Sequence, residues 1–317
     1  MKNNKVEYFE HPLFDPLQFR IDTRPVLELN KVITRWLWTG ATGGYIQGIS
    51  RIGKSSAFEI IQNTITTRNK KKVPTHILSI PRRDKPSITT IFKNCCYSAG
   101  IRVTTRQTSD DLKNNFAHYL VDTAIQNDVR QFVLLVDEMQ RLKATQFDAF
   151  AELYDTMRQM GVSLVVIFIG NTYESDPLIE EIKHPKFDHI RGRFFSQKSS
   201  FSGLQNAADV KFCLEQYDTL RFPLPKGPTY TEYFLPKAFS SGWRLASQSN
   251  LIWSVFREYQ KRLKIPSWGM QYFTCTINIL LSDYLTKTEG TECSYEMINK
   301  CIDLSGLEMS QVDLVET

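Results

Sequence analysis

Gly48-Ile49-Ser50-Arg51-Ile52-Gly53-Lys54-Ser55 satisfies the P-loop pattern G-x-x-x-x-G-K-[ST] at every fixed position. The pattern has a physical basis. Its glycines let backbone N–H groups curl around nucleotide phosphates, its lysine reaches the β- and γ-phosphates, and the last hydroxyl helps hold Mg2+. The flanks fit as well. Gly44–Gln47 before the loop reads as a strand, and Ser55–Thr64 after it reads as a helix with Ala57, Ile60, Ile61 and Ile65 apolar. The positive end of that helix adds to a phosphate site. Gly48, Ser50, Arg51, Ile52, Gly53, Lys54, Ser55 and Ser56 are therefore the expected contacts to ATP or GTP. A chance match in an ordinary turn is the alternative that this strand–helix context disfavours.

Downstream, Val133-Leu134-Leu135-Val136-Asp137-Glu138 is an apolar run closed by two carboxylates. A run of this kind suits a central parallel strand buried on both faces, and ligands sit at the C-terminal edge of such a sheet. Asp137 is expected to hold Mg2+ together with Ser55, and Glu138 to polarise a water for in-line attack on the γ-phosphate. A structural Asp-Glu strand end is the alternative, made less attractive by the complete P-loop upstream. Asn171 follows the next apolar strand, Val162–Ile169. It either aligns the attacking water or is a plain turn residue. Arg191 and Arg193, in Arg191-Gly192-Arg193-Phe194-Phe195, follow an expected helix and loop, Pro177–Asp188. Either could enter a neighbouring subunit's site as an arginine finger, and a surface basic pair is the equal alternative. Gly242-Trp243-Arg244 is expected to open a helix, with Arg244 on the γ-phosphate or, alternatively, an ordinary helix residue beside a core Trp243.

The elements around these motifs alternate. His76–Ile80 reads as a strand, Ile88–Ala99 as a helix, Asp110–Ile125 as a helix capped by Ser109, and Phe147–Met160 as a helix before the Val162–Ile169 strand. Alternation of this kind predicts an α/β fold, a P-loop module whose parallel sheet is sandwiched by helices. From about Gly203 only helical patterns remain: Ala208–Leu220, Ser247–Leu263, Met270–Leu285 and Tyr295–Leu304. They predict a C-terminal α-helical lid. Val6 to about Leu29 is Pro-punctuated and aromatic, an arm expected to lie over the next domain, and Leu27–Trp38 has helical spacing. The expected boundaries are 1–38 for the arm and leading helix, 39–202 for the α/β domain and 203–317 for the lid.

At 317 residues, 42% hydrophobic and 23% charged, the chain has the composition of a globular protein. A net charge of +5 and a pI near 8.8 permit nucleic-acid binding without requiring it. The six cysteines show no C-x-x-C pair and no zinc spacing, and read as reduced thiols in a cytoplasmic protein. No apolar segment suited to a signal peptide follows the first residues, and the longest apolar run, Leu164–Ile169, falls far short of a membrane span.

P-loop, Asp137-Glu138, Asn171, the Arg191/Arg193 pair and Gly242-x-Arg244 occur in an order that resembles the AAA+ ATPases: Walker A, Walker B, sensor 1, arginine finger and sensor 2. Within them the chain is most similar to the transposition regulators of the TnsC, TniB and MuB group. The short chain, the aromatic arm and the Gly170-Asn171 strand end resemble the compact TnsC of CRISPR-associated transposons. The resemblance implies ATP and Mg2+, assembly of the chain with itself into a ring or filament, and sequence-independent binding of double-stranded DNA. It also implies partners: the transposase TnsB, the endonuclease TnsA, and a TniQ-type targeting complex. Arg51 and Ile52 stand where small residues are usual in this loop, which suits binding of ATP with slow turnover.

A pore that tracks duplex needs positive side chains on phosphates. Pro81-Arg82-Arg83-Asp84-Lys85-Pro86 and Arg102-Val103-Thr104-Thr105-Arg106 mix Arg and Lys with small hydroxyls, in the region where the resemblance places DNA-facing elements. Arg82, Arg83, Lys85, Thr104, Thr105 and Arg106 are the expected contacts, with a solvated charge cluster as the alternative. The basic stretch Arg68–Lys72 is a rival patch, expected at the opposite sheet edge. The arm and Ser310–Thr317 are candidate partner contacts. A signalling NTPase that acts on proteins without DNA is the competing function, motivated by the mild net charge. A P-loop small-molecule kinase is disfavoured, because the paired carboxylates suit water activation and no acceptor site is visible.

Overall fold

The structure is a computed structural model that describes residues 11–15, 19–82, 87–290 and 292–312. The chain divides into two compact units. One holds Glu28–Ser50 and Lys54–Phe201; the other holds Arg51–Gly53, the described residues up to Leu27 and those from Ser202 onward.

The first unit is a parallel α/β layer structure. Its strands are β1 (Gly43–Gly48), β2 (Thr75–Ser79), β3 (Gln131–Asp137), β4 (Ser163–Asn171) and β5 (Lys198–Ser200), in the spatial order β2-β3-β4-β1-β5. All pairings are parallel, with Gly48 opposite Asn171 and Val136 opposite Phe168. Helix α1 (Arg24–Trp38) precedes β1 and buries Ile33, Trp36 and Leu37 at helical spacing. Between the strands run α2 (Lys54–Ile61), α3 (Ile88–Ser98), α4 (Ser109–Gln126), α5 (Phe147–Gln159), α6 (Thr172–Ile182) and α7 (Asp188–Phe194). The continuous apolar runs of β3 and β4 are buried because helices cover both faces. At the centre Phe168 packs 4.7 Å from Phe147, 5.1 Å from Phe150 and 5.6 Å from Phe194, ring centre to ring centre.

One local expectation needs correction and one strand escaped the sequence reading. The cap of α4 is Thr108, not Ser109: Thr108 Oγ1 accepts from Asp111 N and Asp111 Oδ2 accepts from Thr108 N, a reciprocal capping box. β5 escaped the sequence reading because it is three residues of Lys-Ser-Ser at an exposed edge, with no apolar pattern to reveal it. Arg68–Lys72 lies, as expected, at the opposite sheet edge from the loop after β2. Arg68 donates to Trp38 O just before β1, and Lys71 pairs with Asp128 just before β3, so the stretch sits at the N-terminal ends of the strands.

The second unit is helical: α8 (Ala207–Tyr217), α9 (Tyr230–Phe234), α10 (Pro236–Ser240), α11 (Ser249–Leu263), α12 (Met270–Ile279), α13 (Tyr295–Leu304) and α14 (Met309–Val312). α12 continues as a π-helical stretch, Leu280–Leu285. Trp268 stacks on Phe256 with centroids 4.2 Å apart and planes 2° from parallel. The described part of the N-terminal arm belongs here: Leu13, Phe19 and Ile21 enter this unit's core.

His11 anchors that arm. Its ring is fully buried, with Phe222, Tyr230, Tyr233 and Phe234 centred 4.6–5.1 Å away. Nδ1 accepts from Leu13 N, and Nε2 has no hydrogen-bond partner among the described residues. Burial lowers its pKa from 6.5 to about 4. Above pH 6.5 the ring is neutral in both the folded and unfolded chain. Between 6.5 and 4 only the unfolded chain takes up the proton, so stability falls across that window, by about 2 kcal/mol at pH 5. Denaturation midpoints measured from pH 7.5 to 4 should show this loss, and His11→Phe should flatten it.

Candidate active site

The P-loop is the connection between a buried strand and a helix. β1 is buried throughout, chain reversal follows through Arg51 (φ +59°) and Gly53 (φ +95°), and α2 begins at Lys54. Gly53 supplies a left-handed conformation that side chains resist; Arg51 adopts one despite its Cβ, and its Nη1 donates to Tyr272 Oη at 3.2 Å. Ile52 is buried, whereas Ser50, Ser55 and Ser56 are exposed. Lys54 Nζ donates to Gly48 O at 2.8 Å and to Ile49 O at 2.7 Å, folding the ammonium back over the loop. Burial lowers its pKa, while the charges of Asp137, Glu138 and Glu174 push it back up.

Strand order brings the motifs together. With β4 between β1 and β3, the three C-terminal strand ends lie side by side. Ser55 Oγ donates to Asp137 Oδ2 at 3.1 Å, and Asp137 Oδ1 accepts from Glu138 N at 2.9 Å. Asn171 is nearly buried. Its Nδ2 donates to Ser50 Oγ at 2.6 Å, and its Oδ1 accepts from Tyr173 N at 3.0 Å and Glu174 N at 3.4 Å, capping α6. Glu138 stands in a left-handed conformation, φ +63°, at the start of a single 3-10 turn, Met139–Arg141. Its Oε2 accepts from Gln140 Nε2 at 2.8 Å and lies 2.9 Å from Arg141 Nη2. Gln140, Arg141 and Glu174 are site residues that motif reading did not find; the signal for the first two was only that they follow Asp137-Glu138.

The remaining candidates lie elsewhere. Arg191 and Arg193 lie inside α7, a helix the sequence reading did not identify. Arg191 pairs with Asp188 at 2.6 Å and donates to Lys183 O; Arg193 pairs with Asp155 at 2.9 Å and lies over the Tyr154 ring. Arg244 precedes a 3-10 turn, Leu245–Gln248, that leads into α11. Its guanidinium lies 3.6 Å from the Phe239 ring centre and donates to Phe239 O and Trp243 O. Arg82, Thr104, Thr105 and Arg106 are exposed; Arg83 and Lys85 lie outside the described residues. The two basic loops leave opposite ends of α3. One follows the C-terminal end of β2, whereas Ser98, closing α3, meets His76 near the start of β2 at 2.7 Å. At 1.5 Å per residue the helix separates them by about 16 Å.

Residues 39–178 match the family model described as the AAA domain. No curated protein matches the chain. Solved structures similar to it include the Orc1 protein of Aeropyrum pernix in complex with DNA, at 10% identity and TM-score 0.42 over 93% of this chain and 87% of that one. Cdc6p from Pyrobaculum aerophilum is 12% identical, with TM-score 0.42 over 94% and 84%. A Walker-type ATPase of Pyrococcus abyssi is 14% identical, with TM-score 0.40 over 93% and 91%. The matched stretch, from Thr39 to Leu178, carries the P-loop, β3 and β4, and in it the chain is similar to an AAA domain.

Proposed function

We propose that the chain is an ATP-hydrolysing AAA+ switch that assembles on double-stranded DNA and acts as a transposition regulator of the TnsC, TniB and MuB kind. In this reading its ATP state controls assembly, and the assembly links a TniQ-type targeting complex to the transposase TnsB, with TnsA as a further partner. The observation that carries the reading is the meeting of Lys54, Ser55, Asp137, Glu138 and Asn171 at one sheet edge. Lys54 would bind the terminal phosphates, releasing the carbonyls of Gly48 and Ile49. A hydroxyl and a carboxylate are hard oxygen donors, and Ser55 Oγ with Asp137 Oδ2 fits Mg2+, which when bound neutralises charge on the β- and γ-phosphate oxygens. Glu138 accepts the proton of the attacking water, and Asn171 orients that water from a side chain already locked by α6 and Ser50.

Arg191 and Arg193 remain the finger candidates. Each is held by an exposed carboxylate, and such pairs are worth ~0–1 kcal/mol, a small cost for release into a neighbouring subunit. Arg244 is the candidate link between the lid and the γ-phosphate.

DNA binding is supported by the exposed Arg82, Thr104, Thr105 and Arg106. Each lost phosphate contact should reduce the slope of log affinity against log salt by about 0.9. The double variant Arg82→Glu/Arg106→Glu should therefore weaken duplex binding and reduce that slope by roughly 2, read by fluorescence anisotropy across salt. An unchanged slope would remove these loops from the interface. No affinity for duplex at low salt in the unaltered chain would favour the signalling NTPase.

A further inference from the structure

Among the described residues, Gln140 is the one side chain hydrogen-bonded to both the Glu138 carboxylate and the end of β4. Its Nε2 donates to Glu138 Oε2 at 2.8 Å, and its Oε1 accepts from Asn171 N at 3.2 Å. We propose that Gln140 is a positioning residue for ATP hydrolysis, fixing the general base relative to the water-orienting asparagine. The proposal rests on Glu138 being the base.

The chemistry selects an amide. A side-chain amide offers a neutral donor and a neutral acceptor on one small planar group. The carboxylate demands the donor and the β4 N–H demands the acceptor, so the orientation of the amide is fixed by its two partners. From the other side Arg141 clamps the same carboxylate oxygen: Nη2 lies 2.9 Å from Oε2, and Nη1 is tied to Ile80 O at 2.9 Å. With both donors on Oε2, Glu138 Oε1 has no hydrogen-bond partner among the described residues and is the oxygen left to take a proton.

Gly170 makes the reach possible. A Cβ there would lie 3.0 Å from Gln140 Oε1, 2.8 Å from Met139 Cγ and 2.3 Å from Ser175 Oγ. The path continues to the phosphate loop, because Asn171 Nδ2 donates to Ser50 Oγ at 2.6 Å. Glu138, Gln140, Asn171 and Ser50 thus form one hydrogen-bonded series from the base to the loop that would hold the nucleotide.

The test is single-turnover ATP hydrolysis and nucleotide affinity for Gln140→Met and Gln140→Glu, each alone and combined with Glu138→Gln. Gln140→Met keeps the side-chain length and loses both bonds; Gln140→Glu keeps the acceptor toward Asn171 and loses the donor. Both should lower the hydrolysis rate by about tenfold to 100-fold, the upper figure being the cost of misplacing a reacting group by about 1 Å. The nucleotide dissociation constant should stay within about twofold, and neither change should lower the residual rate further in the Glu138→Gln background. An unchanged rate, or an equal fold-loss in both backgrounds, overturns the proposal. Failure of the reading beneath it is separately visible, as full activity in Glu138→Gln alone.

Discussion

Glu138→Gln should bind ATP with unaltered affinity and hydrolyse it at least about 100-fold more slowly, because general-base catalysis by a positioned side chain contributes about 10²–10⁴. A 100-fold loss corresponds to ~2.7 kcal/mol of barrier. The substitution is nearly isosteric. It replaces an oxygen that can take a proton with an amide that cannot, while the Ser55–Asp137 bond and the Lys54 bonds to Gly48 O and Ile49 O are left in place. Binding and turnover therefore separate. Hydrolysis that cannot occur cannot reset the switch, so the variant should accumulate as DNA-bound oligomer. The check is paired: nucleotide titration followed by phosphate release. Full phosphate release would show that the base is another group.

Lys54→Ala should have the opposite signature, losing nucleotide first. Hydrogen bonds to charged groups are worth about 1.5–3 kcal/mol, which weakens binding about tenfold to 150-fold. The ammonium sits near Asp137, Glu138 and Glu174, so removing it also leaves three carboxylates facing the incoming phosphates without their cation. Both effects point the same way, and assembly that depends on ATP should be lost with binding. Lys54 also donates to Gly48 O and Ile49 O, so a thermal melt should accompany the titration. Wild-type affinity in Lys54→Ala would contradict the assignment of this loop as the phosphate site.

How much of this was legible in the sequence depends on what each feature rests on. β3 and β4 were readable because burial on both faces writes a continuous apolar run, and β1 because it leads into a P-loop whose residues are fixed by backbone geometry within one loop. Strand order is a tertiary property that chain order does not carry. That is why the adjacency of Asn171 to Ser50 was not foreseen. Gln140 escaped for the same reason: its role exists only because Gly170 lets β4 approach the turn after β3. α7 was hidden by its shortness and by the internal Gly192. The arm was recognised as an arm from its prolines and aromatics, but nothing local in Leu13, Phe19 and Ile21 names the core they enter.

The coupling of nucleotide state to assembly on DNA is tested most directly by negative-stain imaging of the purified chain. It would be imaged with a non-hydrolysable ATP analogue, with and without a duplex of about thirty base pairs, on the order of 100 Å long. The account predicts rings or filaments when nucleotide and duplex are both present, and their absence when either is withheld or when Lys54 is replaced by Ala. Monomers under every condition, with nucleotide bound, would contradict it.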